Sequence, residues 1–126
     1  MAARTLEAHV RHQQPRVVII ELHGEINGFA EETLNSACAE AESEDPNVIL
    51  LNFSDVEYIN STGIALIVGL LARARQVHQQ LLACGLSDHY IDIFHTIRLA
   101  DFLSVFPDEM SALASELKQD PQTNMQ

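Results

Sequence analysis

The sequence has little positive charge and no long apolar run, and each shortage excludes a class of protein. Only 7 lysines and arginines stand against 18 acidic residues among 126, for a formal net charge of −11. Such a chain has no basic surface for nucleic acid or for anionic membranes. Its apolar runs all stay below the ~18 residues that a membrane span needs. We therefore expect no nucleic-acid partner and no membrane insertion, and partners that are proteins or small ligands.

Cysteine is also scarce, with only Cys38 and Cys84 present. Each lies in a segment with apolar periodicity, so we predict two buried free thiols, as is usual in a reducing cytosol. The first residues, Met1 to Arg4, lack the apolar core of a signal peptide. These features together predict a cytoplasmic protein.

Motifs for catalysis, cofactors and metals are missing as well. Ser61 lacks the glycine two residues earlier that a nucleophile elbow requires. Neither of the glycine-rich phosphate-binding patterns, GxxxxGK[ST] and GxGxxG, occurs. The six histidines show no metal-ligand spacing. We expect no enzyme activity, no cofactor and no metal site.

The pattern of apolar residues alternates between strand and helix periods, which predicts an α/β sheet in one domain. We assign residues 1–118 to that domain and residues 119–126 to a disordered tail. Ile49, Leu51, Leu82 and Phe94 should be buried, and Ile97 should also face inward. The predicted strands are 8–12, 17–22, 48–53, 81–84 and 102–106, and the predicted helices are 28–41, 62–79, 88–97 and 108–117.

Two loops in this pattern carry polar residues, and each follows a strand and begins a helix. Asn27 or Gly28 should cap the first helix, and Ser61 should cap the second after a loop at residues 55–59. Functional loops of such sheets gather beyond the carboxyl ends of the strands, so Asn27 and Ser61 should lie on the same edge. The second helix has no charge from Gly63 to Ala72. It is either enclosed in the core or partly an exposed docking face, with Ala65, Gly69 and Ala72 on one side.

Ser61 and Thr62 allow two interpretations. They are either helix caps or phosphate acceptors. A phosphate on either hydroxyl would meet free backbone amides at the positive end of the helix. It would add a charge of about −1.5 to −2 beside the uncharged helix.

Several motifs together resemble the STAS domain family, and within it the stand-alone anti-sigma-factor antagonists of bacteria. Gly24-Glu25-Ile26-Asn27 stands where the family has Gly-Glu-Leu/Ile-Asp. Asn60-Ser61-Thr62-Gly63-Ile64-Ala65 stands where it has Asp-Ser-Ser/Thr-Gly-Leu-Gly. Both characteristic aspartates are therefore asparagine here, and Arg98 replaces a glycine that is common in the family. Residues 82–87 and 93–99 match its later strand and third helix.

This resemblance implies a central, mixed, mostly parallel sheet of four to five strands covered by about four helices. It implies a regulatory protein that binds an anti-sigma factor, which is also a serine kinase of the histidine-kinase-like ATPase type. Phosphorylation of Ser61 by that kinase would end binding, and a phosphatase would restore it. The alternative is a STAS subunit of another assembly, such as a lipid-transport ATPase or a stress-sensing complex, without a phosphorylation switch. The partner-binding residues carried over are Asn27, Asn60, Ser61, Thr62, Gly63 and Ala65.

Overall fold

The computed structural model describes residues 4–14 and 16–118, and within them strands and helices alternate as the sequence predicts. The tail predicted for residues 119–126 lies outside the described residues. Two short 3₁₀ turns, Gly28–Ala30 and Leu99–Asp101, add to the regular elements. The strands are β1 (Glu7–Gln14), β2 (Val17–Ile26), β3 (Val48–Ile59), β4 (Gln80–Cys84) and β5 (Ser104–Phe106), and the helices are α1 (Glu31–Glu42), α2 (Ser61–Gln76), α3 (Asp88–Thr96) and α4 (Glu109–Lys118).

The five strands form one sheet in the order β1-β2-β3-β4-β5. β1 pairs antiparallel with β2, and every later pair is parallel. Each parallel connection passes through a helix, which is the usual crossover between parallel strands. The mixed, mostly parallel sheet with four helices is therefore confirmed.

Helices cover the sheet on both sides, which explains the continuous apolar runs of β2 and β3. Val18 and Ile20 face a core built with α1, α2 and α3, whereas Val17 and Ile19 face a smaller one with Ala112 of α4. The predicted core residues are confirmed by their exposed fractions, which are 2% for Ile49, 0% for Leu51, 2% for Leu82 and 0% for Phe94. Both cysteines are free and buried, as expected.

β2 and β3 are longer than the sequence suggested, and the predicted loop at residues 55–59 is wrong. That segment is the second half of β3 and stays paired with β2 through Glu25–Tyr58 and Ile26–Ile59. Ile26 and Ile59 are 0% and 4% exposed, so burial of both strand ends stabilises the extension. The ends of β2 and β3 therefore lie side by side at the candidate site.

The inward position predicted for Ile97 is also wrong, because its side chain is 46% exposed. α3 ends one residue earlier, at Thr96, and the chain then turns through Arg98 with a left-handed φ of 68°. The turn thus keeps a conformation that favours glycine although arginine occupies it. The 3₁₀ turn after Arg98 shortens β5, which begins at Ser104 rather than at residue 102.

Candidate functional site

Two turns lie side by side at the carboxyl ends of β2 and β3. Ile26 pairs with Ile59, and the Asn60 N–H donates to the Ile26 carbonyl oxygen at 3.2 Å. Asn27 and Asn60 are thus the first residues beyond two hydrogen-bonded strand ends. The expectation that the Asn27 and Ser61 loops share an edge of the sheet agrees with this geometry.

The first turn begins at Asn27, which caps the 3₁₀ turn before α1. Its backbone is extended (φ −136°), and its Oδ1 accepts a hydrogen bond from the Phe29 N–H at 2.9 Å. The Asn27 carbonyl also accepts from the Ala30 N–H at 3.0 Å. The Asn27 cap is as predicted, but the α-helix proper starts three residues later than expected, at Glu31.

The second turn is capped by Asn60, so the prediction that Ser61 is the cap is wrong. Asn60 Oδ1 accepts from the Gly63 N–H at 2.8 Å, and the Asn60 carbonyl accepts from the Ile64 N–H at 2.9 Å. Asparagine is at least as good a cap as serine, and residue 60 holds the extended backbone that a cap needs. Ser61 is consequently the first residue of α2. Its side chain is exposed, and its hydroxyl has no hydrogen-bond partner within residues 4–14 and 16–118.

Gly63 joins the two turns through a close backbone approach. A Cβ at this position would lie 2.1 Å from the Ile26 carbonyl oxygen and 2.8 Å from its carbon. Only glycine fits there, because real Cβ atoms do not approach backbone so closely. Gly63 is therefore buried beneath the site, whereas its neighbours Ser61 and Thr62 are exposed.

α2 has a buried side and an exposed side, so the first alternative from the sequence, a helix enclosed in the core, is wrong. Ile67, Leu70, Leu71 and Ala74 face the core. The exposed side forms a strip that begins at the candidate hydroxyl, with residues spaced three and four apart as on one helix face. Val68 is the largest apolar side chain of this strip and is 44% exposed. The residues of this α2 strip are Ser61, Ala65, Val68, Gly69 and Ala72.

A groove of about 530 Å³ runs between α1 and α2 beside this strip. Arg73 of α2 pairs with Glu42 of α1 in its wall, with Nη2 3.1 Å from Oε1. Cys38 also lines the groove, and burial raises the pKa of its thiol to about 11, with a smaller contribution from the charge of Glu42. The thiol therefore stays protonated at neutral pH, and the thiolate is the reactive form of cysteine.

The first turn of α2, which begins at Ser61, differs in charge from the first turn of α1. Glu31 and Glu32 occupy the first turn of α1, whereas the first turn of α2 holds no acidic residue. Both caps are neutral amides that already accept backbone hydrogen bonds. An anion on Ser61 would thus face the positive end of the α2 dipole without a like charge from its own helix turn.

Phe29 belongs to this region, although none of the sequence motifs includes it. Its side chain is 94% exposed and lies in the turn directly after Gly28. An apolar residue at a helix start is usually assigned to the core, so its sequence alone does not suggest an exposed ring. The signal in the sequence that could have indicated an exposed ring is the position of Phe29 between Gly28 and Ala30. In the structure Ala30 takes the inward place in that turn, at 2% exposed, and Phe29 faces outward.

Two features are absent from the described part of the chain. No helix in it has the length and apolar content to cross a membrane. No group of three or more His, Cys, Asp or Glu side chains in the same residues is placed to hold a metal ion.

Comparisons with known proteins give a consistent family and fold. The family model described as the STAS domain matches residues 9–112. An anti-sigma-B factor antagonist of Listeria monocytogenes is 23% identical over 100 residues, which cover 79% of this chain and 88% of that protein.

Two solved structures have the same fold. A crystal structure of an anti-sigma factor antagonist from Mycobacterium paratuberculosis has a TM-score of 0.71 and 18% identity, covering 88% of this chain and 93% of that one. The Bacillus cell fate determinant SpoIIAA in its phosphorylated form has a TM-score of 0.66 and 19% identity, covering 86% and 97%.

Proposed function

Because the chain belongs to the STAS domain family, we propose that it is an anti-sigma factor antagonist that is switched by phosphorylation at Ser61. In the unphosphorylated form it binds an anti-sigma factor that is also a serine kinase of the histidine-kinase-like ATPase type. Phosphorylation ends that binding, a phosphatase restores it, and the cycle runs in the cytoplasm. The name of the Listeria relative supports the antagonist role.

The observation that carries the proposal is the position of the Ser61 side chain. Asn60 takes over the capping bond to Gly63, which leaves the Ser61 hydroxyl exposed at the first residue of a 16-residue helix. The same residue begins the α2 strip, so a partner that covers Ala65 and Val68 would also cover Ser61. Asn27, Asn60 and Thr62 would form the polar rim of that contact, and Gly63 would support it from below.

The transfer itself needs only a reactive hydroxyl from this chain. The Ser61 oxygen forms a bond to the terminal phosphorus of the kinase's ATP, the bond to the ADP oxygen breaks, and ADP leaves. The hydroxyl proton must pass to a base on the kinase, because the Asn60 amide cannot accept it at neutral pH. A phosphatase would reverse the change by hydrolysis, with water supplying the oxygen that leaves as phosphate.

Phosphorylation should weaken binding without unfolding the domain. The new group carries a charge of about −1.5 to −2 and would meet backbone amides at the start of α2. In the complex, the same charge would have to lose its water beneath a partner without a cation placed for it. The cost therefore falls on the complex and not on the free domain.

A second candidate is a STAS subunit of another assembly that uses no phosphorylation. The observation in its favour is that Asn27 and Asn60 are neutral and already engaged as caps. If the family's aspartates help to orient or activate the hydroxyl, this chain would be a poor substrate and would act by binding alone. A lipid-transport ATPase or a stress-sensing complex would then be the partner.

The test is phosphorylation by a kinase-type anti-sigma factor encoded in the same genome, followed by phosphopeptide mapping. We expect one phosphate on Ser61 in the wild type and in Thr62→Ala, no phosphate in Ser61→Ala, and weaker binding of the phosphorylated chain. Binding without phosphorylation would contradict the switch and keep the antagonist role. Failure to bind the kinase, together with capture of a transport ATPase, would favour the second candidate.

A further inference from the structure

We propose that Asn27 is a site of spontaneous modification, at which the side-chain amide is converted to aspartate and isoaspartate through a cyclic imide. The proposal goes beyond the function proposed above and does not depend on it. It rests on the chemistry of the Asn27–Gly28 peptide bond and on how the surrounding turn is held.

The reaction uses only this chain and water. The backbone nitrogen of Gly28 attacks Cγ of Asn27, a new N–C bond closes a five-membered imide, and the Cγ–Nδ2 bond breaks with release of ammonia. The amide proton leaves with that ammonia. Water then opens the imide at either carbonyl, which gives aspartate or isoaspartate. One water enters and one ammonia leaves, with no oxidation or reduction. Glycine makes the attack easy because it has no Cβ to obstruct the nitrogen.

The reacting groups are accessible in this turn. Gly28 is exposed, and its N–H donates no hydrogen bond to any described residue, as is usual for the first amide of a helical turn. Phe29 N–H donates to Oδ1 of Asn27 at 2.9 Å, which draws electron density from Cγ and leaves the Nδ2 leaving group unengaged among the described residues. The electrophile is therefore polarised while the nucleophile and the leaving group stay free.

The turn can also make the rotation that ring closure needs. Asn27 has ψ −167°, so the Gly28 nitrogen must swing toward Cγ. Ile26 and Ala30 anchor the two ends of the turn at 0% and 2% exposure, but Gly28 and Phe29 between them are exposed. Neither Gly28 nor the Phe29 ring is buried against the other described residues, so local opening of the turn should cost little.

Asn60 provides an internal control with the same cap but different surroundings. Its Oδ1 accepts from Gly63 N–H at 2.8 Å, close to the 2.9 Å at Asn27. Its next residue, Ser61, has a side chain and already belongs to α2, and Gly63 is wedged against the Ile26 carbonyl. The Ser61 nitrogen cannot swing without unwinding the first turn of α2. Asn60 should consequently react much more slowly than Asn27.

The two products would change the site differently. Aspartate can keep the capping bond to Phe29 N–H and adds one negative charge at the edge where Ser61 lies. In isoaspartate the backbone runs through the former side-chain carboxyl group, so the backbone is one carbon longer at this residue. The cap is therefore lost. An ageing sample would therefore contain three forms of the same chain that differ at this turn.

The test is incubation of the full folded chain in warm, mildly alkaline buffer made with heavy-oxygen water, followed by peptide mapping. A glutamate-specific protease cuts after Glu25 and Glu31 and separates Asn27 from Asn60, which lies beyond Glu57. Heavy oxygen marks every product formed during the incubation, and chromatography separates aspartate from isoaspartate. We expect the label at Asn27 first, at a rate at least about tenfold above that at Asn60.

Gly28→Ala is the matched variant, because a Cβ at this position meets only Thr62 Cγ2, at an ordinary 3.7 Å. It should melt like the wild type and incorporate label at Asn27 about tenfold more slowly. Mapping the same peptide after incubation of the protein in denaturant gives the reaction rate of Asn27 in the unfolded chain. The proposal is overturned if Asn27 reacts no faster than Asn60, or if Gly28→Ala leaves the reaction rate at Asn27 unchanged. It is also overturned if Asn27 reacts in denaturant but not in the folded protein.

Discussion

Asn27 and Asn60 lie at the ends of neighbouring strands and make the same bond, each Oδ1 accepting one backbone N–H, at 2.9 Å from Phe29 and at 2.8 Å from Gly63. The two caps lead into different structures. After Asn60 the chain enters a 16-residue helix, and Gly63 touches the Ile26 carbonyl. After Asn27 comes a three-residue 3₁₀ turn whose Phe29 is 94% exposed. The same capping bond therefore accompanies two different degrees of burial. Only the turn at Asn60 has a close backbone contact behind it, between Gly63 and Ile26.

The largest expected effect is that of Gly63→Ala. Its Cβ would lie 2.1 Å from the Ile26 oxygen, and backbone cannot yield as a flexible side chain can. We expect a loss of about 3 kcal/mol or more in the free energy of unfolding, at the upper end of overpacking. Denaturant titration with Gly28→Ala as control measures it, and that control should stay within about 1 kcal/mol of wild type. Equal losses in the two variants would refute the difference in anchoring.

The second effect concerns the caps themselves. Asn60→Ala should cost about 1–2 kcal/mol, within the range for caps of helices. Asn27→Ala should cost about 0.5 kcal/mol, at the low end of that range, because its 3₁₀ turn is short and exposed. Thermal melts of both variants at one pH give the comparison, with Asn60→Asp as a variant that retains a capping oxygen. A larger loss at Asn27 than at Asn60 would show that the first turn is the better anchored one.

The sequence predicted the place of this site better than its details. Apolar periodicity located β2, β3 and α2, because both strands are buried on two sides and the helix on one. The cap of α2 was assigned to the wrong residue, since Asn60, Ser61 and Thr62 can all cap. The choice among them depends on Gly63 fitting against Ile26, a contact between residues 37 positions apart in the chain.

The two other errors have the same kind of origin. Residues 55–59 look like a loop because Asp55 and Glu57 interrupt the apolar run of β3, but pairing with β2 keeps them extended. That pairing includes register shifts between Glu21 and His23 and between Gly24 and Glu25, which no local pattern reveals. Ile97 fits the apolar period of α3, but the left-handed Arg98 redirects the chain just after the helix ends.

The third effect is a small gain from Ser61→Asp. Since Ser61 is the first residue of α2 rather than its cap, the aspartate gains only from the helix dipole, about 0.3–1 kcal/mol over Ser61→Ala. Melts should show this gain while binding to the anti-sigma factor weakens, because the carboxylate must be desolvated in the complex. Thr62→Ala should change binding less. If Ser61→Asp binds like wild type and Thr62→Ala abolishes binding, the acceptor has been assigned to the wrong hydroxyl.

The smallest effect on stability, and the sharpest contrast with Gly63→Ala, is expected for Phe29→Ala. A ring that is 94% exposed loses almost no buried contact on truncation, so the free energy of unfolding should change by less than about 0.5 kcal/mol.

Binding of Phe29→Ala should respond differently. Aromatic residues, phenylalanine among them, are enriched at protein interfaces, so we expect about a tenfold weaker complex, or about 1.4 kcal/mol. Met110→Ala is the matched control, because Met110 is 80% exposed on α4, which covers the opposite side of the sheet. If both variants bind like wild type, the partner does not reach the first turn. If Phe29→Ala unfolds the domain, that turn is anchored after all.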